Sequence, residues 1–317
     1  MCTALNFLSQ DNYFGRNLDL ERSYGEQVVI TPRNYKFSLR TLPKMESHYA
    51  MIGMATVVGG YPLYYEATNE KGLSMAGLNF PLNAYYSAYK EDKDNVTPFE
   101  FIPCILGKCK DVNGAQKLLS NISLVNIDFS EELPLSPLHW IISDKEKSIT
   151  VESVREGLKV YDNPYGVLTN NPTFDYHLMN INNYMSLHEG YPENKLSQKQ
   201  SFDSYSLGMG ALGLPGDYSS ASRFVRAVFI KEKSPCFESE RERVSHFFHM
   251  LSGVAMPKGC VMTKGGEYEY TRYSSCCNAD KGIYYYTTYD NGSITAVDMH
   301  SADLDGGEIC TFPITEC

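Results

Sequence analysis

The residue with the clearest chemical potential stands second in the chain, where Cys2 follows Met1 in Met1-Cys2-Thr3-Ala4-Leu5. A small residue at position 2 normally permits removal of an initiator methionine. Removal would leave Cys2 with a free α-amino group, so that one residue carries both a soft nucleophile and a base. In unperturbed peptides the thiol titrates near ~8.5 and the amine near ~7.7–8.0. Both values are close enough to neutrality for the amine to take up the thiol proton and later return it to a leaving group. The plainer alternative makes Cys2 an inert small residue beside the start codon.

Such chemistry needs elements that hold partners against Cys2. The first twenty residues predict a β-hairpin, with Thr3–Leu8 and Tyr13–Leu20 flanking the turn Ser9-Gln10-Asp11-Asn12. A turn centred on Gln10-Asp11 sets Cys2 opposite Asp19 and Leu5 opposite Arg16, and a slip of one residue moves Cys2 only to Leu18 or Leu20. Arg16 and Asp19 differ by three, so an undistorted strand sends them to opposite faces unless Gly15 or a bulge intervenes. Further strands are expected at Val28–Thr31, near Ala55–Val58 and over Leu73–Phe80. Leu138–Ile142, Ser148–Val154 and Leu158–Tyr161 read as a meander. Asp290-Asn291-Gly292 marks a hairpin between Ile283–Tyr289 and Ser293–Met299. Helices begin at Thr97-Pro98-Phe99-Glu100, a Thr cap with Pro at N1 and Glu at N3, and at the Ser239–Glu242 capping box before Val244, Phe247, Phe248 and Leu251. Two more are expected over Val112–Ile122 and Ser220–Ile230, the latter carrying Arg223. His246 and His249 lack a third ligand and read as helix surface rather than a metal pair.

Composition narrows the class. Hydrophobic residues make up 43% and charged residues 21% of 317 residues, enough for a large core. There are 24 Tyr against the single Trp140, a bias toward strands. A net charge of −10 without a basic block disfavours nucleic acid and anionic membranes. No apolar run approaches the roughly 20 residues of a membrane span. Nine cysteines without a zinc-type spacing, behind an N-terminus lacking a basic-then-apolar leader, point to free thiols in a reducing cytoplasm. With strands dominant and no regular βαβ alternation, the chain reads as one α+β domain over residues 1–317, with antiparallel sheets covered by helices.

Six motifs then fall in order: Cys2-Thr3-Ala4; Phe14-Gly15-Arg16-Asn17-Leu18-Asp19; Asn69-Glu70-Lys71-Gly72-Leu73; Ala76-Gly77-Leu78-Asn79-Phe80-Pro81; Leu168-Thr169-Asn170-Asn171-Pro172; and Gly213-Leu214-Pro215-Gly216-Asp217 leading to Ser222-Arg223-Phe224. This series, with Leu138-His139-Trp140 and the Tyr-rich run at 282–289, resembles the choloylglycine hydrolase family, in particular its conjugated bile salt hydrolases, over essentially the whole chain. The resemblance implies a four-layer αββα N-terminal nucleophile hydrolase fold and cleavage of the amide joining a bile acid to glycine or taurine. No cofactor or metal is implied, and a homotetramer is.

The family's catalytic positions carry over as Cys2, Arg16, Asp19, Asn79, Asn170 and Arg223. The chemistry assigns roles that fit. Cys2 sulfur forms a thioester, and its amine is base and then acid. Asp19 holds that amine by a charge-assisted bond. Arg16 and Arg223 place positive charge near the sulfur. Asn170 and the neighbourhood of Asn79 are candidate oxyanion donors. Taken singly, each has an ordinary explanation: Arg16 and Asp19 as a surface ion pair, Asn79 and Asn170 as turn residues, Arg223 as a solvated helix position. Their joint occurrence with Cys2 favours catalysis. For the steroid, an apolar groove is expected from Leu18, Tyr24, Tyr65, Leu78, Leu133 and Leu135, with Arg16 and Asn79 as polar contacts. Asn79 favours bile salts, because related penicillin V acylases often carry Tyr there. The competing readings are an acylase acting on phenoxyacetyl amides or acyl-homoserine lactones, and a non-catalytic steroid-binding protein, which would have no need of the intact set.

Overall fold

The computed structural model describes residues 1–314. β1 (Cys2–Ser9) and β2 (Asp11–Leu20) form the opening hairpin. β3 (Glu26–Thr31), β4 (Met51–Val58), β5 (Tyr61–Asn69) and β6 (Ser74–Asn79) follow. β7 (Asp94–Val96) leads into α1 (Pro98–Lys108) and α2 (Val112–Leu119), and β8 (Ile122–Leu124) pairs in parallel with β7. β9 (Leu138–Ser143), β10 (Ser148–Val154) and β11 (Gly157–Asp162) make the expected meander. Next come β12 (Val167–Leu168), α3 (Phe174–Asn180), α4 (Ser220–Glu232) and α5 (Glu240–Ser252). β13 (Tyr270–Asn278), β14 (Ile283–Thr288), β15 (Thr295–Asp298) and β16 (Cys310–Pro313) close the described chain.

Two large sheets result, antiparallel throughout. One has the strand order β12-β1-β2-β13-β14-β15, the other β11-β10-β9-β6-β5-β4-β3-β16. The period-2 alternation of the larger sheet feeds two different cores. Val28, Ile30, Ile52, Met54, Ala76, Leu78 and Ile141 face the smaller sheet. Val29, Met51, Ala55, Met75, Trp140 and Ile142 face α1 and α2. Strands buried on both faces carry near-continuous apolar runs, which is how these segments read in sequence. Phe224, Val228, Val244, Phe247 and Leu251 of α4 and α5 cover the other side of the smaller sheet. The layers are therefore helix, sheet, sheet, helix, as the resemblance implied.

Several boundaries differ from expectation. α2 ends at Leu119, and Ile122 starts β8 instead of closing the helix. β5, β12, β13 and β16 were not anticipated, nor was α3. α1 and α5 begin where their caps predicted; α5 has a complete capping box, whereas at α1 Glu100 accepts from Thr97 N at 3.4 Å and Thr97 Oγ1 has no partner among the described residues.

Candidate active site

Gln10 joins β1 to β2 with a left-handed φ of 59°. The ladder then pairs Ser9 with Asp11, Ala4 with Arg16 and Cys2 with Leu18. This is one residue away from the register of a turn centred on Gln10-Asp11. Asp19 consequently lies across from Met1: Asp19 N donates to Met1 O at 3.1 Å, and the Met1 amine donates to Asp19 O at 3.0 Å. The ladder carries a bulge beside this stretch, but in β13 and not in β2. Thr271 pairs with Asp19 and Tyr273 with Leu18, leaving Arg272 as the extra residue. Gly15 is required by close approach, since a Cβ there would lie 1.9 Å from Ser275 O of β13.

Cys2, Asn170, Arg223 and Asn79 form one hydrogen-bonded set. Cys2 is 3% exposed, and its backbone N donates to Asn170 Oδ1 at 2.9 Å. Arg223, fully buried on α4, donates from Nη2 to the same oxygen at 2.7 Å, from Nη1 to Cys2 O at 2.5 Å and to Thr3 Oγ1 at 2.6 Å, and from Nε to Tyr218 O at 3.0 Å. Asn170 Nδ2 donates to Asn79 O at 2.7 Å. The end of β12, the end of β6, the first turn of α4 and the start of β1 thus meet at one amide side chain. Ser220 Oγ and His177 Nε2 secure the Asn170 backbone at 2.8 and 3.0 Å.

Asp19 Oδ1 accepts from Thr271 Oγ1 at 2.7 Å, while its buried Oδ2 has no partner among the described residues. Arg16 lies between the sheets, donating from Nη1 to Gly77 O at 2.6 Å and to Tyr65 O at 3.1 Å. Its Nη2 is buried and unpartnered among the described residues. Glu66 stands 3.8 Å from Arg16 Nη1 and accepts from Tyr273 and Tyr284 hydroxyls at 2.8 and 2.5 Å and from Ser275 Oγ at 3.0 Å.

The electrostatics follow from burial. Burial opposes the Arg16 charge, but Cys2, Tyr273, Glu66 and Asp19 outweigh it and hold the guanidinium protonated above its ordinary range. Burial lowers Arg223, with Asp19 and Cys2 opposing. Burial also pushes the Met1 amine below its usual value, against Cys2 and Asp19.

The expected substrate contacts scatter. Leu18 is buried opposite Cys2, and Leu78 is wholly buried in the inter-sheet core. Tyr65 is partly buried, with its hydroxyl 2.9 Å from Thr56 Oγ1. Tyr24 is exposed in the β2–β3 loop, and Leu133 and Leu135 are half-buried in the loop before β9. A cavity of about 520 Å³ lies elsewhere, lined by Lys90, Lys93, Gln116, Leu158 and Asp162 among others, and includes none of them. Thr271, Glu66, Ser220 and His177 were missed in sequence. The aromatic and β-branched run of Tyr270–Tyr273 carried a strand signal that would have exposed Thr271.

A cysteine at the head of a central strand, between stacked antiparallel sheets and beside a buried Asn–Arg pair, defines an N-terminal nucleophile hydrolase. Residues 2–312 match the linear amide C–N hydrolases of the choloylglycine hydrolase family, and the chain belongs to that family. It is 54% identical to a bile salt hydrolase/transferase of Lactiplantibacillus plantarum over 99% of this chain and 97% of that protein. It is 42% identical to a bile salt hydrolase/transferase of Clostridium perfringens, covering 98% and 96%. The crystal structure of the C2A mutant conjugated bile acid hydrolase from Clostridium perfringens superposes with a TM-score of 0.92 at 39% identity, covering 100% of this chain and 98% of that one. Penicillin V acylase from Agrobacterium tumefaciens, at 20% identity and a TM-score of 0.79, shares the fold.

Proposed function

We propose that this chain hydrolyses the amide of glycine- or taurine-conjugated bile acids through a Cys2 thioester, after loss of Met1. One observation carries the reading: full-length likeness to proteins named bile salt hydrolases coincides with an intact hydrogen-bonded set of Cys2, Asn170, Arg223 and Asn79. The Cys2 amine takes the thiol proton, and the sulfur forms a C–S bond to the amide carbonyl carbon. The oxyanion is met by Asn170 and the Asn79 segment. The tetrahedral adduct expels the amine of glycine or taurine, which receives the proton from the Cys2 ammonium. Water, deprotonated by the same amine, then releases the bile acid. An external amine replacing that water gives acyl transfer, and two of the relatives are named hydrolase/transferase. Asp19 Oδ2, buried and unclaimed, is the acceptor that a Cys2 ammonium needs.

The steroid is read as lying against Leu18, Tyr65 and the Leu133–Leu135 loop, with Tyr24 at the rim, Leu78 behind and Arg16 and Asn79 as polar contacts. A cytoplasmic setting is supported by the eight described cysteines, none in a disulfide. A homotetramer is the assembly that the family resemblance implies, and the exposed apolar side chains Met185, Leu196, Tyr205 and Leu207 on the long segment after α3 leave apolar surface for a second copy to cover. No helix among the described residues is long and apolar enough to cross a membrane. Release of amine from glycocholate, taurocholate and penicillin V tests the substrate class. Much faster release from the bile conjugates is expected, and faster cleavage of penicillin V would move the substrate elsewhere.

A further inference from the structure

Beneath the Asn170 loop lies a buried polar pair that the chemistry above does not use. His139 on β9 and Glu152 on β10 are both fully buried. His139 Nδ1 lies 3.1 Å from Glu152 Oε1, and Nε2 lies 3.0 Å from Thr169 O. A carbonyl only accepts, so Nε2 carries a hydrogen. Nδ1 faces a carboxyl oxygen, so one further hydrogen lies between the two side chains whichever of them owns it. Glu152 Oε1 also accepts from Phe174 N at 3.0 Å, at the first turn of α3. The pair therefore binds the residue just before Asn170 and the first helical residue after Asn171-Pro172-Thr173. The His139 ring also stacks on Phe80 at 4.2 Å and 6° between planes, and Phe80 directly follows Asn79.

We infer that the His139–Glu152 pair is a positioning device for the oxyanion donors, clamping the Asn170 loop at both ends and the Asn79 strand end through Phe80. Neither side chain touches the reacting atoms. Burying this pair has a desolvation cost that an apolar pair of similar volume would avoid. A merely structural role gives no reason for its contacts to converge on the segments flanking Asn79 and Asn170. The inference builds on the reading of Asn170 as a donor.

A double-mutant cycle tests it on the full-length, Met1-free protein with glycocholate. Asn170→Ala should lower kcat by roughly 10²–10³-fold, as loss of one oxyanion donor does. Glu152→Gln, nearly isosteric and still able to accept from Phe174 N, should lower kcat by about tenfold to a hundredfold through misplacement, with KM and the alkylation rate of Cys2 little changed. Added to Asn170→Ala, it should cause almost no further loss, because nothing remains to position. Multiplying losses would overturn the clamp while leaving the role of Asn170 intact, and so would a folded Glu152→Gln protein with unchanged kcat. An unimpaired Asn170→Ala protein would overturn both readings. If Glu152→Gln does not fold, Phe80→Leu leaves the buried pair bonded, removes only the stacked ring, and carries the same cycle.

Discussion

Arg223 shows most directly how the site is held. Its guanidinium satisfies Cys2 O, Thr3 Oγ1, Asn170 Oδ1 and Tyr218 O from a fully buried position. A lysine ammonium cannot reproduce that planar fork. Arg223→Lys should leave buried acceptors unpaired, lower stability by about 1–3 kcal/mol and reduce kcat at least tenfold. Denaturant melts and steady-state rates check it, and a native-like protein with full activity would contradict the assignment. His177 supplies a pH dependence. Burial lowers its pKa from 6.5 to about 4, opposed by its bond to Asn170 O. The unfolded chain therefore binds a proton between about pH 6.5 and 4 that the folded protein refuses. Stability is fully present above that window, falls as pH drops through it, and loses up to about 3 kcal/mol below it. The difference in Tm between pH 7 and pH 5 should shrink in His177→Gln; an unchanged difference would assign the acid sensitivity to other groups. At this scale the sequence was most legible in residue type: Cys2, Asn170, Arg223 and Asn79, singled out there, lie in one hydrogen-bonded set. Thr271 and Ser220 were hidden because Thr and Ser are common in strands and caps for local reasons, and only the fold makes their contacts specific.

Among the elements, the β1–β2–β13 ladder does the positioning. Gly15 permits β13 to approach, and a Cβ at 1.9 Å from a backbone oxygen cannot be relieved by side-chain motion. Gly15→Ala should cost roughly 1–3 kcal/mol and lower the urea midpoint, and an unchanged midpoint would show that the strands can part without penalty. The opening hairpin was visible in its turn residues, but its register was not. Gln10 is neither Gly nor Asn, so its left-handed conformation carried no local mark, and the ladder closed one residue earlier than expected. β13 was overlooked beside the stronger turn signal of the following hairpin. α5 was legible because side chain and backbone make reciprocal bonds within four residues, and α1 because Pro98 and Glu100 mark its first turn. The inward burial of Arg223 could not be read from α4 alone, because helical spacing says nothing of what lies beneath a guanidinium.

The residues singled out for chemistry lie where two sheets and one helical layer converge, and the order of motifs along the chain already implied that architecture. The steroid side was less legible. Leu78 belongs to the core, whereas Tyr24, Leu133 and Leu135 sit on loops whose sequences show apolar character without direction. What the fold leaves for experiment is whether Cys2, freed of Met1, is the working group. In the structure Met1 occupies the head of β1, its amine bound to Asp19 O and paired with Glu269. Glycine release from glycocholate should therefore be compared for Met1-free protein, a form that retains Met1, and Met1-free Cys2→Ala. Turnover is expected from the first and none from the other two; turnover by the Met1-retaining form would remove the α-amine from the mechanism, and turnover by Cys2→Ala would remove the thiol.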